Sequence, residues 1–256
     1  MLIESFQNDK IKNITKLLTD NRFRKKSKVF VVEGKQENKR AQKFDFEAIE
    51  FFICENIFDD SNPSSGKIHY ISEKVYEKIA YRGSSEGIIG VYKTKEFELS
   101  SFIPKENATI IIVEGIEKPG NLGAILRSCE AFGIDALIIT DAKADFYNPN
   151  VIRSSVGCLF GMKVFQAENK ETLDFLKKNQ FSTYTTIMDE SAEDLYQRDL
   201  TQRSAVLFGT EHSGLSDFWN GQGKNTLIPM VGSIDSLNLS NAVAITCYES
   251  LRQKKQ

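Results

Sequence analysis

The sequence has no apolar run approaching the roughly 18 residues that a membrane helix needs, so no segment is predicted to span a bilayer. Its opening stretch, MLIESFQNDK, has acids and amides where a secretory signal carries an apolar core, and a cytoplasmic protein is expected. Cysteine is sparse: Cys54, Cys129, Cys158 and Cys247 lie far apart, without a CxxC pair and mostly among apolar neighbours. Reduced thiols in a cytosolic core follow from that. Histidine is sparser still, and His69 and His212 are too few for a zinc site of the usual spacing, so no metal is expected. No GxGxxG follows any strand-like run, which excludes a Rossmann dinucleotide enzyme. Internal repeats and low-complexity tracts are also lacking.

What is present begins with an uneven distribution of charge. Residues 1–43 hold twelve Lys and Arg against five Asp and Glu, a surplus of +7 in a chain whose net charge is −2, which leaves −9 on the rest. A basic arm on an acidic body suits a polyphosphate partner, because each cation that neutralises a phosphate releases a counterion. On charge alone a solvated helix face is an equal reading.

At 256 residues the chain is long enough for one large domain or two ordinary ones. In residues 1–97, Ile11, Ile14, Leu17 and Leu18 recur at helical spacing, and a basic turn, Arg22 to Lys28, leads into the strand-like Val29-Phe30-Val31-Val32. A helical stretch near Ala48, strands at 51–53 and 88–92 and a helix near 72–80 complete a small α/β domain. Residues 98–107, ELSSFIPKEN, read as a linker. From 108 to 256, strand-like runs at 109–113, 136–140, 184–187, 205–208 and 226–230 alternate with helical segments near 121–132, 171–179 and 240–251. That alternation predicts a mostly parallel sheet with helices on both faces.

In such a sheet, ligands bind at the carboxyl ends of strands. Three loops there are rich in glycine and polar residues. The first, EGIEKPGNLG, enters a helix with Asn121 as a candidate N-cap, Gly133 as its stop, and a predicted buried stripe of Leu122, Ile125, Leu126, Cys129 and Phe132. Arg127 lies beside that stripe, about one and a half turns from Asn121. Alone, Asn121 reads as a cap and Arg127 as a surface residue. The second loop is GTEHSGL, where two glycines around Glu211 allow close approach to a ligand or make an ordinary strand-to-helix turn. The third, VGSIDSLNLS, sets polar Ser236, Asn238 and Ser240 between leucines, and each of these is also a capping type.

Together the stretches EKPGNLGAILRSCEAFG, LFGTEHSGLS and IPMVGSIDSLNLSNAVAI resemble the three signature motifs of the SpoU (TrmH-type) branch of the SPOUT RNA methyltransferases. They occur in order, each after an apolar strand; Asp235 stands where many relatives have glutamate. The segment 147–157 is similar to another recurring stretch of the family, and residues 1–97, with VFVVEG, resemble its ribosomal-protein-like substrate-binding domain. The resemblance implies a C-terminal SPOUT domain with a deep trefoil knot, its cofactor-binding part at 207–251. It implies S-adenosylmethionine as cofactor, held by Gly209, Ile228, Met230 and Leu237, and a homodimer acting on the ribose 2′-hydroxyl of RNA.

By the same resemblance Arg127, Asn121, Glu211, Ser236 and Asn238 are the expected catalytic set; Arg24, Lys25, Lys26 and Lys28 of the basic arm, with Arg153, are assigned to RNA binding. A guanidinium has five donors, no acceptor and a pKa above about 12, so Arg127 is expected to act as an electrostatic clamp on ribose and phosphate rather than as a base. Glu211 is expected to fix Arg127 from the side. The added N-terminal domain favours 23S ribosomal RNA as target; tRNA, or a non-catalytic RNA-binding protein of the same fold, are the alternatives.

Overall fold

The structure, a computed structural model, describes residues 2–63, 65–80, 86–187, 189, 191–234 and 236–255. The chain begins β1 (Leu2–Ile3), α1 (Asp9–Thr19), α2 (Asn21–Ser27), β2 (Val29–Glu33), α3 (Lys35–Lys43), β3 (Ala48–Ile53), β4 (Lys67–Ile71), α4 (Glu73–Ile79) and β5 (Ile88–Lys93). It continues β6 (Thr109–Glu114), α5 (Pro119–Ala131), β7 (Ala136–Thr140), α6 (Pro149–Ser154), α7 (Cys158–Gly161), β8 (Val164–Gln166) and α8 (Asn169–Lys178). The remainder is β9 (Ser182–Thr185), β10 (Glu193–Asp194), β11 (Ser204–Phe208), β12 (Lys224–Leu227) and α9 (Leu239–Lys254). Two compact units result, one made of Met1–Lys95 and Asp145–Gly161, the other of Glu96–Ala144 and Met162–Gln256. No helix among the described residues is long and apolar enough to cross a membrane.

The first unit is a mixed sheet in the order β1-β4-β3-β5-β2. Asn8 starts α1 by accepting the Lys10 N–H, and the predicted spacing places Ile11, Ile14 and Leu17 in a core with Val31, Phe52, Val75 and Ile89. Because strand side chains alternate, Phe30 and Tyr92 face the other way, where Phe30 packs on Tyr92 and on Tyr147 and Phe160 of the segment that returns to this unit; the Phe30 and Tyr147 rings stack at 4.4 Å. The helix expected near Ala48 lies earlier. Ala48 opens β3, and α3 buries only Asn38 and Ala41, so its sequence has little apolar periodicity to announce it.

Arg24, expected on RNA phosphates, is a fold residue instead. It is buried on α2, with Nε donating to Asp145 at 2.7 Å and Nη1 to the Leu17 carbonyl at 2.6 Å. A buried guanidinium committed to a buried carboxylate is not available to a ligand, and removing it strands the carboxylate. Lys25, Lys26 and Lys28 are exposed.

The second unit is a seven-stranded sheet in the order β10-β12-β9-β11-β6-β7-β8, and every pairing in it is parallel. The central strands β6, β7 and β11 are buried along their length, as continuous apolar runs require when helices cover both faces. Residues 98–107 do more than link: Leu99 and Phe102 enter the core of this unit, and Phe102 packs on Phe165 and Phe175.

Helix α9 packs on α5, where Cys129 and Cys247 meet, both fully buried. The Cys247 contact, then burial, pushes the Cys129 thiol well above its ordinary range, and all four cysteines are free. Thr109 at the start of β6 ties α9 down, its hydroxyl 2.8 Å from Ser250 Oγ and 2.6 Å from Lys254 Nζ.

Candidate functional site

Three loops leave the carboxyl ends of β6, β11 and β12. After β6 the chain turns through Gly115 at φ +65°, and Pro119 opens α5 with Lys118 in the cap position. Proline suits the first helical position because its missing N–H has no partner there anyway. Asn121 is therefore in the first turn of the helix rather than its cap, and its side-chain amide is directed elsewhere. Leu122, Ile125, Leu126 and Cys129 are buried as expected, Phe132 is half-buried, and Gly133 at φ +72° ends the helix. Arg127 is exposed and has neither hydrogen bond nor ion pair among the described residues.

The second loop folds tightly on itself. Thr210 and Gly214 exchange backbone hydrogen bonds at 3.0 and 3.1 Å, and Thr210 Oγ1 accepts the Ser213 N–H. Gly209 is pressed against Gly214 and Leu215, so that a Cβ there would overlap their backbone atoms. In the third loop Asn238 caps α9, its Oδ1 accepting from Ser240 N at 2.9 Å and Ser240 Oγ at 2.6 Å. Asp235 lies outside the described residues.

These loops meet at the carboxylate of Glu211. It pairs with Lys118 Nζ, accepts the side-chain amide of Asn121, and accepts the Asn238 amide at 3.0 Å. Asn238 also reaches Asn121 Oδ1 at 3.4 Å. The Lys118 contact, aided by Asn121 and the Leu239 N–H, holds the Glu211 carboxyl below its ordinary range, so it is ionised at neutral pH. The sequence-based expectation that Glu211 fixes Arg127 is not met: the Glu211 oxygens are taken by other donors, and Arg127 stands outside the network.

Beside this network lies a cavity of about 170 Å³. Gly209, Ile228, Met230 and Leu237, singled out in the sequence, all line it, with Glu211 and Ser236 at its polar side and Phe208, Leu227 and Leu239 adding apolar wall. Arg153 belongs to the first unit, exposed on α6, where it and Glu37 line a separate small cavity.

Lys118 and the cavity residue Thr186 are missed by sequence reasoning. Thr186 follows β9, and only the sheet order, with β9 between β11 and β12, puts it beside the other two loops. Lys118 meets Glu211 across 93 residues, which no local pattern signals.

A family model described as the SpoU rRNA Methylase family matches residues 108–248, and a second, the MRM3-like substrate binding domain, matches residues 8–90. The chain is 27% identical over 249 residues to the 23S rRNA (guanosine(2553)-2′-O)-methyltransferase RlmP of Bacillus subtilis (strain 168), covering 96% of this chain and 97% of that one. A crystal structure of an RNA 2′-O ribose methyltransferase superposes with a TM-score of 0.86 at 32% identity and full coverage of both chains. The SpoU methyltransferase AviRb of Streptomyces viridochromogenes, solved in complex with the cofactor AdoMet, shares the fold with a TM-score of 0.88 at 23% identity, over 97% of this chain and 99% of that one.

Proposed function

The chain belongs to the SpoU rRNA methylase family, and we propose that it transfers a methyl group from S-adenosylmethionine to a ribose 2′-hydroxyl of 23S ribosomal RNA. The observation that carries this reading is the meeting of Asn121, Glu211 and Asn238, from three separate loops, beside the cavity lined by Gly209, Ile228, Met230 and Leu237. The residues present fit the cofactor: Gly209, packed against Gly214, shapes the turn that lines the cavity, and the apolar walls suit an adenine ring. When bound, S-adenosylmethionine supplies an activated methyl on sulfonium.

The protein must then orient a weak nucleophile and stabilise the charge that grows on it. Arg127, exposed and uncommitted to any carboxylate, is available for ribose and phosphate and acts as an electrostatic clamp. Asn121 and Asn238 orient the nucleotide, Ser236 frames the cavity, and Glu211, bound to Lys118, fixes both amides. The match of residues 8–90 to a substrate-binding domain, and the end-to-end alignment with RlmP, favour ribosomal RNA over tRNA.

Assembly as a homodimer is favoured by Ile245 and Tyr248, exposed on α9, and by Val231 and Ile234, exposed in the third loop. The deep trefoil knot is favoured by the path from β11 to β12, beyond β9, and back through α9 to α5. A cytoplasmic location agrees with four free, buried cysteines.

The test has two arms. Calorimetry on the purified protein, a dimer by light scattering, is expected to give one S-adenosylmethionine site per chain, competed by S-adenosylhomocysteine. Mapping ribose methylation in ribosomal and transfer RNA from cells with and without the gene is expected to reveal one missing 23S mark. A folded protein that binds cofactor but changes no RNA would be the non-catalytic RNA binder; one that does not bind cofactor ends the enzyme reading.

The basic arm is now Lys25, Lys26 and Lys28, exposed on and just after α2. Their joint replacement by alanine is expected to lower the slope of log affinity for RNA against log salt by roughly 0.7–0.9 for each phosphate that is no longer neutralised, with S-adenosylmethionine affinity intact. An unchanged slope makes them a solvated surface.

A further inference from the structure

Glu114 closes β6 and is buried, at 5% exposure. No ion pair reaches it among the described residues; its partners are neutral donors. Oε2 accepts the Ser216 N–H at 2.7 Å, and Oε1 accepts the Ser216 hydroxyl at 2.7 Å and the side-chain amide of Asn169 at 2.5 Å. A buried carboxylate is tolerated only when its lone pairs are filled, and hydrogen bonds to an ionised acceptor are the strong ones.

Ser216 is the far end of the loop that begins at Gly209. Between them the loop is rigid, cross-linked by the Thr210–Gly214 pair and by the Ser213 N–H on Thr210 Oγ1. A rigid loop fixed at β11 and clamped at Ser216 has one orientation, and Glu211 sits on it. We infer that Glu114 is a positioning residue, which holds the 209–216 loop through Ser216 so that the Glu211 carboxylate meets Lys118, Asn121 and Asn238. The inference rests on the reading of this cleft as the methyl-transfer site; Glu114 itself does not line the cavity. It serves that chemistry by keeping the partners of Asn121 and Asn238 in place.

Two variants separate this role from general packing. Glu114→Gln keeps one acceptor oxygen and turns an NH₂ toward the remaining donors, so it cannot accept all three of the hydrogen bonds that Glu114 accepts from Ser216 and Asn169. Ser216→Ala removes a single hydroxyl and leaves charge unchanged. The measurement is the titration of Glu211, followed by ¹³C NMR of labelled glutamate carboxyls in the protein without cofactor or RNA.

If the loop is released, Glu211 loses Lys118, the ion pair that holds its pKa down, and its pKa is expected to rise toward the ordinary glutamate value in both variants. Simple removal of the Glu114 charge would move it the opposite way in Glu114→Gln, because a nearby negative charge disfavours ionisation. The sign therefore distinguishes positioning from plain electrostatics. Single-turnover methyl transfer is expected to fall by about 10- to 100-fold in Glu114→Gln, the scale of a displacement of about 1 Å at a reacting site. That fall should largely vanish when Glu211 is already glutamine, since the residue acts through Glu211.

A Glu211 pKa that is unchanged or lower in both variants overturns the inference. If Glu114→Gln does not fold, Ser216→Ala decides by the same titration. If the wild-type protein transfers no methyl, the proposed function fails, while the Glu211 titration still judges the role of Glu114.

Discussion

Arg127→Ala is expected to lower single-turnover methyl transfer by a factor on the order of 10²–10³ while leaving the fold and the affinity for S-adenosylmethionine unchanged. The stability half of this result follows from where the side chain is. Arg127 is exposed on α5, off the buried stripe of Leu122, Ile125, Leu126 and Cys129, and makes no hydrogen bond or ion pair among the described residues. Trimming it opens no cavity and strands no partner, so unfolding free energy should move by less than about 0.5–1 kcal/mol. The cofactor half follows because the cavity is lined by the second and third loops and the elements that flank them, with Thr186 after β9, and Arg127 is not among the lining residues. An arginine with no structural work is free to bind substrate. If it stabilises charge on the 2′-oxygen, the loss appears in the chemical step alone. Arg127→Lys keeps the charge without the planar fork and should rescue little where two-point contact matters. Melting temperature, cofactor titration and single-turnover transfer on all three proteins decide the matter, and a folded Arg127→Ala protein that transfers methyl near the wild-type rate removes Arg127 from the mechanism.

The contrast between Arg127 and Arg24 marks how far sequence alone reaches. Both are arginines on helices that follow a polar turn. Arg127 is placed on an exposed face by the apolar spacing around it, a local property that a helix imposes on its own sequence. Arg24 sits in a run of cations that reads as one basic surface, yet its partner Asp145 is 121 residues away and belongs to a segment that rejoins the first unit. The central strands β6, β7 and β11 of the second unit are legible for the same reason as Arg127: buried parallel strands are continuous apolar runs, and their carboxyl-end loops carry the glycines and amides. Strands β8 and β10 are too short to show such a run, and β9 and β12, largely polar, begin earlier than the apolar runs near them suggest. Asn121, Glu211 and Asn238 are legible as candidates, whereas their shared carboxylate is not, because register and sheet order decide which loops touch. Lys118, Thr186 and Glu114 escape for that reason. Helix α3 is misplaced by sequence because its buried face is only Asn38 and Ala41, too polar to show a period.

Gly209→Ala tests the second loop where geometry leaves least freedom. Its backbone is not in the left-handed region, so the demand for glycine there is one of space. A Cβ at 209 would overlap the carbonyl carbon and oxygen of Gly214 and the nitrogen of Leu215. These are backbone atoms, so no side-chain rotation relieves the clash. Residue 209 cannot retreat, because it continues β11, which is buried and paired on both sides with β6 and β9. The loop itself must move, giving up the Thr210–Gly214 pair and the Ser216 contacts with Glu114. Overpacking of this kind costs about 1–3 kcal/mol, and unfolding by urea should show a loss of at least that size. The larger effect is expected at the cavity, where Gly209, Thr210, Glu211 and Gly214 form part of the lining. A shift of about 1 Å there should weaken S-adenosylmethionine binding by about 100-fold, with methyl transfer falling at least as far. Gly232→Ala is the control, since a Cβ at that exposed loop position meets nothing within 4 Å and the backbone φ is not positive. It should bind cofactor and melt like the wild type. Calorimetric titration of both variants gives the answer: if Gly209→Ala binds S-adenosylmethionine within a few-fold of Gly232→Ala, the 209–214 turn does not form the cofactor cavity.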